Sequence, residues 1–298
     1  MKIFLFRLPI FISCCFILCA CNPEQSPVLT REVTPDILPN EAITAVPSQT
    51  AFSESSPHQH FQTNSGLTVD QYQLKEIPAV DPLLFEPILG SQDEILSIHA
   101  AEKEELFVDN SFFENSLPGK KAFLNGKELV AQEIISNTPS GTNQTISIDL
   151  SLDKKSIYTI DGGDVSPTNS LQGLWTYDGH WMLEIAYVTK TVNSQENDAS
   201  FNVTGQIVQD GELLNEKLGY QEAFNAQIIN GKPFYFFKKD GEIGISYGNQ
   251  TTLLGYDEVP HYKCCNAAEM NPRSAQTMVS FFAEKKGTWY YVEIGAFK

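Results

Sequence analysis

Five two-residue steps constrain this chain more than anything else in it: Asn125-Gly126, Asp178-Gly179, Asp210-Gly211, Asn230-Gly231 and Asp240-Gly241. Gly takes positive φ without steric cost, and Asn and Asp tolerate it better than other side chains. Such pairs therefore suit the tight turns of β-hairpins. Their flanks read as strands: Leu174–Tyr177 with Trp181–Val188, Ala226–Ile229 with Phe234–Phe237, then Ile243–Tyr247. β-Branched and aromatic residues crowd these runs, as a pleated, half-buried surface favours. No segment beyond the first twenty residues carries a long helical period; Pro272–Met278 is a candidate short helix. The predicted class is all-β.

The hairpins share a plan: an apolar strand, a polar turn with Lys or Gly, then an apolar or aromatic strand ending in an acid. Ile95–Asp109, Ile146–Asp161, Trp175–Ile185 and Val279–Ile294 all follow it. A second echo places Leu218-Gly219-Tyr220-Gln221-Glu222 against Leu254-Gly255-Tyr256-Asp257-Glu258, 36 residues later. Between them run Asn230-Gly231-Lys232-Pro233 and Asp240-Gly241-Glu242-Ile243-Gly244-Ile245. On these residues, 219–258 resembles one unit of the WG-type β-repeat, in which a Tyr-Asp-Glu-like element closes the unit; Ile243 stands where that family has Trp. Meanders of roughly 35–50 residues, each unable to cover its apolar face alone, predict repeated antiparallel units. The expected architecture is propeller-like with about four or five blades, and a β-sandwich is the alternative built from the same hairpins.

The amino terminus has another texture. Lys2 and Arg7 precede an apolar stretch, Leu8–Leu18, which is shorter than the ~20 residues a spanning helix needs and fits an export signal. The run Leu18-Cys19-Ala20-Cys21 resembles the lipobox of bacterial lipoproteins. That resemblance implies cleavage before Cys21, a diacylglyceryl thioether on its sulfur and acylation of the new amino terminus, with several chains anchoring stably where one is marginal. From Asn22 to about Gly66 the chain is rich in Pro, Ser, Thr, Gln, Asn and Glu and cannot bury enough apolar surface to order itself. The expected organisation is a lipoprotein signal peptide over residues 1–20, a disordered lipid-anchored tether over 21–66, and a single β-repeat domain over 67–298. His58 and His60 fall inside the expected tether, where solvated histidines are the plain reading.

Processing would remove Lys2, Arg7 and no acid, taking the formal charge from −17 to −19. Such a surface repels nucleic acid and anionic headgroups, so neither is an expected partner beyond the anchor itself. Of six cysteines only Cys264 and Cys265 would remain unalkylated. With no disulfide framework, apolar burial must hold the core, and 42% hydrophobic residues can supply it.

No nucleophile elbow, His-Glu-x-x-His, phosphate loop or Cys-x-x-Cys pair occurs in the chain. The most unusual local chemistry is Asp257-Glu258-Val259-Pro260-His261-Tyr262-Lys263-Cys264-Cys265. Three readings stand for it. His261, Cys264 and Cys265 form a soft-metal site; the two thiols form a strained vicinal disulfide; or both are buried thiols. Trp175, Trp181, Trp289, Tyr290 and Tyr291 are candidates for stacking on a ligand, against a plain role in the core. No cofactor is expected. The function expected is a lipid-anchored extracytoplasmic binding or interaction module of the bacterial cell envelope, facing an envelope protein or glycan. The rivals are an envelope-polymer hydrolase using carboxylates such as Asp257 and Glu258, and a metal-binding protein using the Cys264-Cys265 loop.

Overall fold

In the computed structural model, which describes residues 56–78, 84–104, 119–138, 144–193, 198–262 and 271–297, all five turn pairs sit where their chemistry puts them. Asn125-Gly126 joins β3 (Gly119–Leu124) to β4 (Lys127–Asn137), and Asp178-Gly179 joins β7 (Leu171–Tyr177) to β8 (His180–Asn193). Asp210-Gly211 joins β9 (Asp198–Gln209) to β10 (Glu212–Leu213). Asn230-Gly231 and Asp240-Gly241 link β11 (Glu222–Ile229), β12 (Lys232–Lys239) and β13 (Glu242–Tyr247). Both residues of every pair have positive φ, from 46° at Asp178 to 89° at Gly211, as mirror-type hairpin turns require. Three further two-residue turns use the same geometry. Asp153-Lys154 joins β5 (Gln144–Leu152) to β6 (Lys155–Asp164), Gly248-Asn249 joins β13 to β14 (Gln250–Tyr256), and Lys286-Gly287 joins β16 (Met278–Lys285) to β17 (Thr288–Gly295).

The described strands form three sheets. With β1 (His58–Gln62), β2 (Thr68–Gln73) and β15 (Arg273–Ser274), the five-stranded sheet runs β1-β2-β17-β16-β15, and β11 to β14 make a four-stranded meander. The largest runs β10-β9-β8-β6-β5-β4-β3, with β7 paired to β8 off this path. It curls into a half-barrel whose inner face gathers Leu129, Ile148, Leu150, Leu174, Leu183 and Val208.

Side-chain alternation stacks these sheets. Phe234 and Phe236 of β12 pack with Val69, Phe281, Val292 and Ile294 of the five-stranded sheet. Tyr235 and Phe237, on the other face of β12, pack with Met182 of β8, Ile207 of β9 and Leu214 of α3 (Leu214–Leu218). The meander is thus buried on both faces, which explains its nearly unbroken apolar run. The outer face of the five-stranded sheet is covered by Phe85 and by Ile95 of α1 (Gln92–Ser97), which pack on Tyr72, Phe282 and Tyr291. A further short helix, α2 (Ala100–Lys103), follows α1. No helix among the described residues is long and apolar enough to cross a membrane.

The all-β class therefore holds, while the repeated-blade plan is not what the three unequal sheets display; among the described strands, four-strand antiparallel meanders occur at β11–β14 as a separate sheet and at β3–β6 inside the largest one. The 36-residue echo reflects a shared kink and no shared unit. Gly219 ends α3 and Gly255 lies within β14, both at left-handed φ (69° and 71°) before a buried Tyr. Ile95–Asp109 begins as helix and not as a hairpin, because Ser91 and Glu94 form a reciprocal capping box at the start of α1. Pro272–Met278 contains β15 in place of a helix. The stretch expected to be tether to residue 66 already contains β1, so the folded body starts by His58.

Candidate functional site

Two clusters of ionisable side chains lie inside the β-structure. The first follows one cross-strand row on the outer face of the five-stranded sheet: His60 pairs with Asp70, Asp70 with Glu293, Glu293 with Ser280, and Ser280 with Arg273. Three imidazoles converge on Asp70. His60 Nδ1 lies 2.7 Å and His58 Nε2 3.3 Å from Oδ1, and His99 Nε2 lies 3.2 Å from Oδ2. β1 supplies two of them because residues two apart share a strand face. His99 precedes α2 in a left-handed conformation (φ 52°), its ring stacked 3.7 Å from that of Phe297. His58 stacks in the same way on Tyr72, at 4.5 Å. Burial alone would raise the Asp70 carboxyl, but the hydrogen bonds from His60, His99 and His58 outweigh it and hold the group below its ordinary range.

Beside Asp70, Lys103 and Glu293 form an ion pair at 2.5 Å with both side chains 0% exposed. Lys103 Nζ also donates to the Ile95 carbonyl at 2.6 Å, which ties the helical segment onto the sheet. Burial pushes Glu293 up to about 7 against the pull of Lys103, and burial pushes Lys103 down. Both shifts have one cause: the loss of water disfavours each charge.

The second cluster is built on a β-bulge. The register of β11 against β12 slips between Phe224 and Gln227, and Asn225 has φ 52°. A bulge leaves backbone donors without ladder partners. Here they turn across to β8: Asn225 N donates to Glu184 Oε1 at 2.8 Å and Ala226 N to Oε2 at 2.7 Å. The Tyr262 hydroxyl donates to the same carboxylate. Burial pushes Glu184 up, against these three hydrogen bonds. Nearby, Gly205 N of β9 donates to Glu222 Oε1 at 3.0 Å, and His261 Nε2 lies 2.9 Å from that oxygen. The close approach of β9 to β11 explains Gly205, since a Cβ there would fall 2.5 Å from the Ala223 carbonyl oxygen. The cluster stitches the half-barrel to the meander.

Of the residues that the sequence singled out, Cys21, Cys264 and Cys265 lie outside the described residues. His261 is engaged with Glu222 and with the Val259 carbonyl. Among the described residues no group of three or more His, Cys, Asp or Glu is disposed to hold a metal ion; the three histidine nitrogens converge on Asp70's own oxygens. The aromatic candidates pack in separate places. Trp181 is core to the half-barrel, Trp175 packs at its seam with the meander, Trp289 lies beside the α1 face, and Tyr290 lies against the core between the five-stranded sheet and the meander. Asp257 accepts the Lys286 N–H at 2.6 Å and so caps the β16–β17 turn, while Glu258 exchanges backbone hydrogen bonds with Glu284. His180 Nδ1 lies 2.7 Å from Asp210 Oδ2, joining two neighbouring turns.

The residues missed by the sequence reading are Asp70, Lys103, Glu184, Glu222 and Glu293. One signal was available: Glu184 and Glu293 interrupt the apolar runs Trp181–Ala186 and Tyr290–Ile294, and an acid there must find a partner. A scan against protein-family models finds no match for this chain, and no curated protein matches it.

Proposed function

We propose that this chain is a lipid-anchored, extracytoplasmic binding module of the bacterial cell envelope. The observation that carries the reading is the run Leu18-Cys19-Ala20-Cys21 at the end of an export-type leader, followed by polar sequence up to the folded body. The body's own chemistry agrees with a binding role. Its three histidines outside the seam and turns are directed at one carboxylate, Glu184 is occupied by backbone donors and a phenol, and Glu293 is paired with Lys103. The Glu184 contacts join the half-barrel to the meander, and the Asp70 and Lys103–Glu293 contacts fasten β1 and the helical segment to the five-stranded sheet. The partner is an envelope protein or glycan, met by the loops of the β-body, where function on such scaffolds resides.

The test is fractionation of cells producing the native chain and Cys21→Ser. The native chain is expected in the membrane pellet and the variant in the soluble extracytoplasmic fraction. Equal partition of the two overturns the anchor, and recovery of the native chain from the cytoplasm overturns the export.

A further inference from the structure

The outer face of the five-stranded sheet carries two acids where closing the sheet asks for none. Asp70 of β2 and Glu293 of β17 are cross-strand partners, 4% and 0% exposed. Like charges directly opposite one another destabilise a sheet, and a buried ion pair is often no better for stability than apolar side chains in its place. The face therefore calls for a cation. In the structure that cation is Lys103 Nζ, 2.5 Å from Glu293 Oε1 and 2.6 Å from the Ile95 carbonyl oxygen. Beside the two acids the Tyr72 hydroxyl has no hydrogen-bond partner among the described residues, although Tyr72 is only 5% exposed. Burial, and then the charges of Asp70 and Glu293, push its phenol up, so the hydroxyl faces the same two carboxylates. Tyr291 and Phe282 continue the row of Tyr72 as an aromatic wall.

The cation is carried by a lightly held segment. α1 and α2 bury one apolar side chain, Ile95, and one ammonium, Lys103, while Ile98 between them is exposed. His99 adds a hydrogen bond to Asp70 Oδ2 and a stack on Phe297. A segment with so few buried contacts opens at lower cost than the sheet beneath it. Its opening frees Glu293 Oε1 and Asp70 Oδ2 together, next to the Tyr72 hydroxyl oxygen. These are three acceptors, and a primary ammonium has three N–H groups.

We propose that Asp70, Glu293 and Tyr72 form a binding site for a primary alkylammonium group, and that Lys103 is its internal occupant, displaced when α1 and α2 lift. This rests on the binding-module reading and gives it a ligand class. The ammonium belongs to a lysine side chain of an envelope protein or to a free amine. Fractionation of Cys21→Ser reports on the anchor and leaves ammonium binding untouched, so either reading can fail without the other.

Calorimetry at neutral pH tests the site in the full-length native chain and in Lys103→Ala. The probes are n-propylammonium and Nα-acetyl-lysine amide, and n-propyltrimethylammonium, which has no N–H, is the control. Lys103→Ala is expected to bind n-propylammonium at least about tenfold more tightly than the native chain, because its site is no longer occupied. Adding Glu293→Gln is expected to remove about tenfold or more of that affinity. In the native chain, exchange is followed at the Lys103 amide, which donates to the His99 carbonyl at 3.0 Å. Saturating n-propylammonium is expected to quicken it by about threefold or more, since the ligand favours the lifted segment. Binding of Nα-acetyl-lysine amide as well supports the site and assigns it to a lysine side chain; binding of n-propylammonium alone supports it and assigns it to a free amine. The proposal is overturned by absence of saturable binding to Lys103→Ala, by equal binding of the quaternary control, or by affinity that Glu293→Gln leaves unchanged. Native exchange indifferent to the amine also overturns it, and decides alone if Lys103→Ala does not fold.

Discussion

Glu184 shows what a single buried acid does here. Its two oxygens replace the ladder partners that the β11 bulge removes from Asn225 and Ala226. Deleting the carboxylate leaves those donors and the Tyr262 hydroxyl unpaired, at about 1–3 kcal/mol for each buried donor. Glu184→Ala should therefore lose at least about 3 kcal/mol in denaturant unfolding; a loss within about 0.5 kcal/mol, typical of an unremarkable surface site, would contradict this role. Lys103 and Glu293 make the complementary case. Lys103→Met alone strands a shielded carboxyl and should cost about 3–5 kcal/mol, whereas Lys103→Met with Glu293→Leu should recover most of it. Equal losses in the single and double variants would show that the pair is not coupled. The acids also set the pH dependence. Asp70 is depressed, so its contribution is present above the ordinary carboxyl range near ~3.9 and is lost as pH falls through its lower folded value. Glu293 runs the other way. Raised to about 7, it keeps a proton that the unfolded chain has released, so stability falls as pH rises from the ordinary range towards that value. Asp70→Asn should flatten the acid limb of an unfolding profile and keep the Glu293 limb, moved to somewhat lower pH because the Asp70 charge is one of the groups that raise Glu293.

At the scale of the element, turns were legible and partners were not. Asn-Gly and Asp-Gly carry their own backbone preference, so the five hairpins that contain them could be placed from two residues each. Gly231 illustrates the cost of losing that preference: at φ 75°, Gly231→Val should lose about 1–2 kcal/mol by thermal unfolding, while Asn230→Gly should be close to neutral. A Gly231→Val midpoint equal to the native one would refute a strict left-handed requirement. The capping box of Ser91 and Glu94 was equally readable, but Ile95 was assigned to a strand by its resemblance to other hairpins. The two clusters were not readable in the same way. Asp70 and His99 are 29 positions apart and Glu184 and Ala226 are 42 apart, and hydrophobic alternation says nothing about which distant strand lies opposite. An acid in an apolar run announces that a partner exists and leaves its identity to the topology.

For the whole molecule, the echoes of sequence suggested equal blades, yet the described strands close the core as sheets of five, eight and four. The reason lies in the alternation of β12, whose two apolar faces demand a different sheet on each side. The result is a layered body in which His58 and His60, on the first described strand, fasten the chain's entry to a shielded carboxylate. A body fastened at its entry suits the proposed tethered module, since a pull along such a tether would be borne by β1 and its pairing with β2. The account depends most on the chemistry of Cys21. Intact-mass measurement of the mature chain tests it directly: the account predicts a chain beginning at Cys21 and carrying a diacylglyceryl thioether, whereas an unmodified Cys21 or a retained leader would contradict it.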